Sequence, residues 1–223
     1  PALCQALQEM DRPASGTSFS SGYTETETID FERPAFETFV LYIKIGIQHI
    51  LPGGLDHILF VLAMFFSTRR LRPLLIQVSA FTVAHTITLG LVAAGVFAPP
   101  ASIVEPLIAA TIAFVAIENL VFKDMTRWRP FVVFAFGLIH GMGFAGFFGS
   151  LGLPQGQFWS ALIGFNIGVE VGQLSVIALA AVLLWPLRQR VSETLYRQAI
   201  VWPASGFIGL VGAFWAIERV LSG

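Results

Sequence analysis

All four histidines of the sequence lie in or beside apolar segments. They are His49, His57, His85 and His140. A single histidine in such a place is as easily a hydrogen-bonded packing residue as a functional one. Four of them together favour a site, because ionisable groups are costly inside a hydrocarbon environment unless they face a partner or a polar cavity. Neutral imidazole is the commonest metal ligand in proteins, so a metal site is the first chemistry to consider.

Carboxylates complete the candidate ligand set. Asp56 directly precedes His57, and Glu170 lies in a later apolar segment with Asn166 and Gln173 at helical spacing around it. Glu118 and Asn119 end another segment, where they either contribute to an exit path or lie solvated at the interface. The predicted metal ligands are His49, Asp56, His57, His85, His140 and Glu170. The predicted supporting polar residues are Asn166, Gln173, Glu118 and Asn119.

This set of ligands narrows the chemistry without naming one ion. Imidazole and carboxylate without thiolate suit divalent Ni, Zn, Co, Mn or Fe, and Cu(II). Cys4 is the only cysteine, which excludes an internal disulfide framework and any Cys-rich metal site. Neither a His-Glu-x-x-His nor a Gly-x-Ser-x-Gly motif occurs, so we expect no enzyme of those classes.

The amino-acid composition indicates the class of protein in which these candidate ligands lie. The chain has 223 residues, of which 55% are hydrophobic and 12% charged, whereas soluble domains carry about 25% charged residues. A soluble enzyme and a disordered regulator are thereby excluded. The net charge of −1 gives no basis for nucleic-acid binding. The chain is expected to be an integral membrane protein.

The apolar segments predict an all-α, polytopic transmembrane helix bundle. A span across about 30 Å of hydrocarbon needs about 20 residues. Segments of that length cover roughly 73–96, 101–123, 130–150, 157–187 and 200–221. Residues 36–66 are interrupted by Pro52-Gly53-Gly54 and predict a broken element, in which Asp56 could cap the second half. We therefore expect about six spans plus this broken first element, a type of break that often holds ions in transporters.

Basic residues predict the orientation in the membrane. They cluster in three alternate loops, at Arg69, Arg70 and Arg72; at Lys123, Arg127 and Arg129; and at Arg188, Arg190 and Arg197. The positive-inside rule makes these loops cytoplasmic. The polar residues 1–34 are then an extracytoplasmic arm, residues 35–223 form the transmembrane domain, and the C-terminus lies on the same side as the arm.

The polar residues fall within five short motifs. They are His49-Ile-Leu-Pro-Gly-Gly-Leu-Asp56-His57-Ile-Leu-Phe, Phe81-Thr-Val-Ala-His85-Thr-Ile-Thr-Leu, Glu118-Asn119, Phe136-Gly-Leu-Ile-His140-Gly-Met-Gly-Phe-Ala and Phe165-Asn166-Ile-Gly-Val-Glu170-Val-Gly-Gln173. In this order, from about residue 39 to about residue 180, they resemble the HupE/UreJ family of bacterial inner-membrane proteins. The six residues between His49 and Asp56 are closer to a second branch of that family, which has no firmly assigned substrate.

The resemblance implies two functions. One is a nickel-permease-like transporter in the bacterial inner membrane, with His49, Asp56 and His57 matching the family's proposed metal-entry motif. Nickel is then the first ion to expect, with Zn, Cu or Co as alternatives. The other is a structural or metal-delivering accessory subunit of a larger membrane complex, whose partners would include another membrane protein besides the metal ion and the lipid bilayer.

Overall fold

A computed structural model describes residues 34–122, 125–143 and 156–222, and these residues form helices and connecting turns without a strand. Most of the predicted arm and the Phe-Ala end of the fourth motif lie outside the described residues. The helices are α1 (Ala35–Ile50), α2 (Leu55–Ser67), α3 (Leu71–Ala93), α4 (Ala101–Val121), α5 (Arg129–Gly143), α6 (Phe158–Arg190), α7 (Glu193–Tyr196) and α8 (Trp202–Ser222), with a π-helical turn at Arg197–Val201 before α8. The predicted all-α fold is confirmed.

The number of spans agrees roughly with the expectation. Helices α3, α4 and α6 and the stretch Glu193–Ser222 are each long and apolar enough to cross a membrane. The pair α1 and α2 passes the same test jointly, which gives up to five candidate spans among the described residues. Helix α5 has 15 residues, and the rest of the span predicted at 130–150 lies outside the described residues.

The predicted break separates α1 from α2, which meet at a bend of 73°. Gly54 makes this turn possible, because a Cβ atom there would collide with the backbone carbonyl of His49. Gly54 is also the residue that precedes α2, and no side chain caps that helix end. The expectation that Asp56 caps α2 is therefore wrong, since its carboxylate bonds to Arg219 instead.

Helix α2 lies in the middle of the bundle. It packs against α1, α3, α4, α6 and α8. The core includes five large aromatic side chains that are fully buried, namely Tyr42, Phe60, Phe65, Phe81 and Phe165. A helix too short to span the membrane is thus held at the centre of the bundle, and it carries His57 inward, to 6% exposure.

Glycines let α1 and α6 approach each other closely. A Cβ atom on Gly46 would meet the carbonyl oxygen of Phe165, and one on Gly168 would meet that of Ile43. Gly164 and Gly172 likewise face Phe39 and Ile50. The glycine stripe on α6 is a packing surface, as its four-residue spacing predicts.

Candidate metal centre

Three histidines from three helices converge beside the break. His49 ends α1, His57 lies in the first turn of α2, and His85 lies in α3. Each offers one ligand atom, and these atoms all lie within 4.8 Å of one another. The side chains of His57 and His85 are buried and that of His49 is half-buried. We call His49, His57 and His85 the histidine cluster.

The ring of His85 is oriented by Asn166 on α6. Its Nδ1 lies 3.0 Å from Oδ1 of Asn166, whose own amide group donates to the carbonyl oxygen of Leu162 at 2.8 Å. An amide oxygen only accepts, so Nδ1 of His85 carries the proton. The lone pair of His85 is then on Nε2, which is buried and has no hydrogen-bond partner.

His140 on α5 stands on another side of His57. The centroids of these two rings are 5.0 Å apart, and His140 also packs against Phe60 and Phe81. Its Nε2 lies 2.8 Å from Oγ1 of Thr111, which itself donates to the carbonyl oxygen of Ile108. The same reasoning puts the proton of His140 on Nε2 and leaves a bare, buried Nδ1.

Buried nitrogen atoms without partners are the observation that tests whether a metal fits. Nε2 of His57, Nε2 of His85 and Nδ1 of His140 are all buried without a hydrogen bond. Leaving such groups unsatisfied costs about 1–3 kcal/mol each. A metal ion accepts the lone pair of a neutral imidazole, and second-shell oxygens that hold the other ring nitrogen are usual at metal centres. The residues present therefore fit a transition-metal ion.

A cavity of about 500 Å³ adjoins the cluster. Its polar lining consists of His49, Asp56, His57, Glu105, His140 and Arg219. Asp56 thus lines the same cavity as His49, His57 and His140, and its role as a metal ligand stays a prediction. Its carboxylate, however, accepts two hydrogen bonds from Nη2 of Arg219, at 3.1 and 3.0 Å. Arg219 was not among the residues predicted from the sequence, although an arginine near the end of the last apolar segment is a visible signal.

Glu170 is held elsewhere. Its carboxylate accepts hydrogen bonds from the hydroxyl groups of Ser79, at 2.9 Å, and Thr82, both on α3. Thr82 also lies 3.1 Å from Oε1 of Gln173. Glu170 and Gln173 therefore join α6 to α3 in hydrogen bonds that include no histidine, and a ligand role for Glu170 stays a prediction.

Glu118 and Asn119 lie away from the cluster, around a buried arginine. Arg129 pairs with Glu118 at 3.4 Å and donates to Oδ1 of Asn119 at 3.1 Å. Asn119 in turn donates to the carbonyl oxygen of Ala63, two turns after His57 in α2. The interpretation of Arg129 as a loop residue is wrong, because it begins α5 and is only 2% exposed. The positive-inside rule counts charges in loops, and such a count does not show that Arg129 lies beside Glu118 and Asn119.

The fold and the site define a class: a helical membrane protein with a histidine cluster at the break of its first element. A family model described as HupE / UreJ protein matches residues 25–219. The chain belongs to the HupE/UreJ family, which is associated with metal uptake or accessory roles. No curated protein and no solved structure gives a significant match.

Proposed function

We propose that this chain binds a divalent transition-metal ion at the histidine cluster and carries it across the membrane, in the manner of a nickel permease. The observation that carries the proposal is the convergence of His49, His57 and His85 from three helices, with ligand atoms within 4.8 Å of one another. Nickel is the ion to test first, because the family resemblance suggests it. No enzymatic activity is proposed.

The arrangement of ligands supports a site that exchanges its ion. Three imidazoles leave coordination positions for water or for further ligands, unlike the closed four-ligand sites of structural metals. The adjoining cavity supplies a path to one end of the bundle. His140, on another side of His57, offers a further nitrogen within reach of an ion that leaves the cluster. These features suit a cargo ion better than a permanent one.

The accessory function uses the same site but does not move the ion across the bilayer. Uptake of the metal ion into proteoliposomes distinguishes the transport function from the accessory function. The purified chain is reconstituted around a metal-sensitive dye, and Ni²⁺ is added outside. We expect uptake by the wild type and none by His57→Ala, because His57 is buried between His49, His85 and His140.

The matched control is Ser175→Ala. Among the residues that the structure describes, the exposed hydroxyl group of Ser175 bonds only to the carbonyl oxygen of Val171 on its own helix. This variant should transport like the wild type. Metal binding without any uptake by the wild type would support the accessory function. Uptake at the wild-type rate by His57→Ala would refute the proposed site.

A further inference from the structure

Arg219 and Asp56 form an ion pair in the wall of the cavity that leads to the histidine cluster. Both oxygens of Asp56 accept from Nη2 of Arg219, and the two side chains are 25% and 23% exposed respectively. Both residues line the cavity, and Asp56 directly precedes His57 in α2. Nothing in the histidine cluster itself requires an arginine at this place.

Three contacts hold the guanidinium group in position. Besides the bonds to Asp56, Nη1 of Arg219 donates to the backbone carbonyl oxygen of Glu105 at 3.2 Å. The guanidinium also stands over the ring of Trp215, 5.5 Å from its centroid. These contacts come from α2, α4 and α8, so Arg219 links three helices around the cavity.

An arriving cation meets a carboxylate that is already neutralised. Both oxygens of Asp56 are used by the guanidinium, and charge-assisted bonds of this kind are among the stronger hydrogen bonds. A cation chelates both oxygens of Asp56 only by displacing Arg219, because Nη2 lies within 3.1 Å of each of them. At equal distance a divalent ion is attracted to a carboxylate twice as strongly as a monovalent ion, so Coulomb attraction to Asp56 favours a divalent ion over the singly charged guanidinium.

We propose that Arg219 acts as a tethered cation that occupies Asp56 until a divalent metal ion displaces it on the way to the histidine cluster. The inference rests on the proposed metal binding. It adds a step of exchange at Asp56, where the guanidinium leaves the carboxylate and stays in the cavity while the metal ion takes its place.

Stopped-flow association of Zn²⁺ with the detergent-purified chain tests this step. Zn²⁺ is chosen because it has no redox chemistry. Arg219→Gln should associate about two- to fivefold faster than the wild type, the range that corresponds to loss of a partly exposed ion pair. Asp56→Asn should associate more slowly, because the carboxylate that receives the ion is lost. Arg72→Gln removes the same charge from an exposed residue in the first turn of α3 and should match the wild type.

The double variant Asp56→Asn/Arg219→Gln separates displacement from a general change of charge. If Arg219 acts through Asp56, the double variant associates at the rate of Asp56→Asn alone. If removal of the positive charge simply attracts cations, Arg219→Gln accelerates association equally in both backgrounds, and the proposal is overturned. Arg219→Lys, which keeps the charge, should give an intermediate rate and guards against loss of folding in Arg219→Gln.

Trp215 supplies a second signal, because Arg219 stands over its ring. With Trp128, Trp159, Trp185 and Trp202 replaced by Phe, Zn²⁺ binding should change Trp215 fluorescence in the wild-type background but not with Arg219→Gln. Zn²⁺ binding with neither a fluorescence change nor a rate difference would overturn the exchange step and leave the proposed function standing. Absence of Zn²⁺ binding in all variants would overturn the proposed function itself.

Discussion

The chemistry of single residues at this site depends on which nitrogen of each imidazole keeps its proton. Asn166 and Thr111 accept from His85 and His140, because their own protons are committed to backbone carbonyl groups. Each histidine is thereby left with one bare nitrogen in the interior. The protein thus fixes the lone pairs before any ion arrives, which is how second-shell residues raise the affinity of metal sites.

Removal of the acceptor on Asn166 should weaken metal binding without removing a ligand. For Asn166→Ala we expect Zn²⁺ affinity to fall about 10- to 100-fold, the usual effect of losing a second-shell partner. Thr111→Val is the matched comparison, because it removes the corresponding acceptor from His140, which lies outside the histidine cluster. Competition titration against a fluorescent chelator measures both. Equal losses in the two variants would contradict the assignment of His85 to the cluster and His140 to its surroundings.

The residues that form the site were predictable from the sequence, whereas their hydrogen-bond partners were not. The histidines and Asp56 stood out because polar residues in apolar segments are rare. The partner of Asp56, however, lies 163 residues away in the last helix, and the hydroxyl groups that hold Glu170 lie about 90 residues before it. Such pairings depend on how the helices pack, which no local pattern in one sequence specifies.

At the level of helices, the break after α1 creates the site. Pro52-Gly53-Gly54 predicted that break, since a continuous helix would not carry these residues. The 73° bend and the central position of α2 followed only from the structure. The bend places His49 and His57 with their ring centroids 4.8 Å apart, a proximity that a straight helix of the same sequence would not give.

Close packing of α1 on α6 should be essential for both stability and binding. Gly168→Ala places a methyl group against the carbonyl oxygen of Ile43 and the Cα atom of Gly46. We expect a loss of about 1–3 kcal/mol, typical of overpacking, and weaker Zn²⁺ binding, because α1 carries His49. The control is Gly206→Ala, where no described residue beyond its own stretch of helix lies within 4 Å of the added group. Thermal unfolding in detergent should show a lower midpoint for Gly168→Ala alone.

The buried arginine that joins α4 and α5 predicts a second stability effect. The side chains of Arg129 and Glu118 are 3% and 9% exposed. Arg129→Met leaves Glu118 without its cationic partner, although the hydroxyl group of Thr126 still donates to it, and breaking a buried pair costs about 3–5 kcal/mol. The double variant Arg129→Met/Glu118→Gln should recover much of that loss. A single variant as stable as the wild type in thermal unfolding would show that the pair does not contribute.

Considered as a whole, the molecule has chemically different ends. The cavity end carries Asp56, Glu105 and Arg219. At the opposite end of α2, Arg69 donates to the carbonyl oxygen of Arg188, and both guanidinium groups lie near Tyr196. The positive-inside rule predicts that the second end is cytoplasmic. On that prediction the cavity opens to the other side of the membrane, where a permease for uptake would receive its ion.

The single cysteine allows this orientation to be tested. Cys4 lies in the polar arm that we predict to be extracytoplasmic. A membrane-impermeant maleimide should therefore label Cys4 in intact bacterial spheroplasts. In a Cys4→Ser background, Ser192→Cys next to the basic end of α6 should react only after permeabilisation. If only the Ser192→Cys variant is labelled in intact spheroplasts, the orientation is opposite to the predicted one.

At this largest scale the sequence predicted more than it did for individual contacts. Hydrophobic composition and segment length were enough for the all-α membrane fold, because a bilayer imposes the same length on every span. They did not reveal that α2 sits at the centre, or which helices pair. Apolar segments look alike in sequence, and glycine contacts such as Gly46 with Gly168 decide their neighbours.

The central claim is that His49, His57 and His85 together bind a divalent metal ion, and elemental mass spectrometry of the purified chain tests it most directly. After loading with Ni²⁺ or Zn²⁺ and desalting, the wild type and the control Ser175→Ala should retain a stoichiometric amount of metal. The double variant His57→Ala/His85→Ala should retain none, once size-exclusion chromatography has shown that it elutes like the wild type and is therefore folded. Metal retained by the double variant, or absent from the wild type after loading with either ion, would contradict the account.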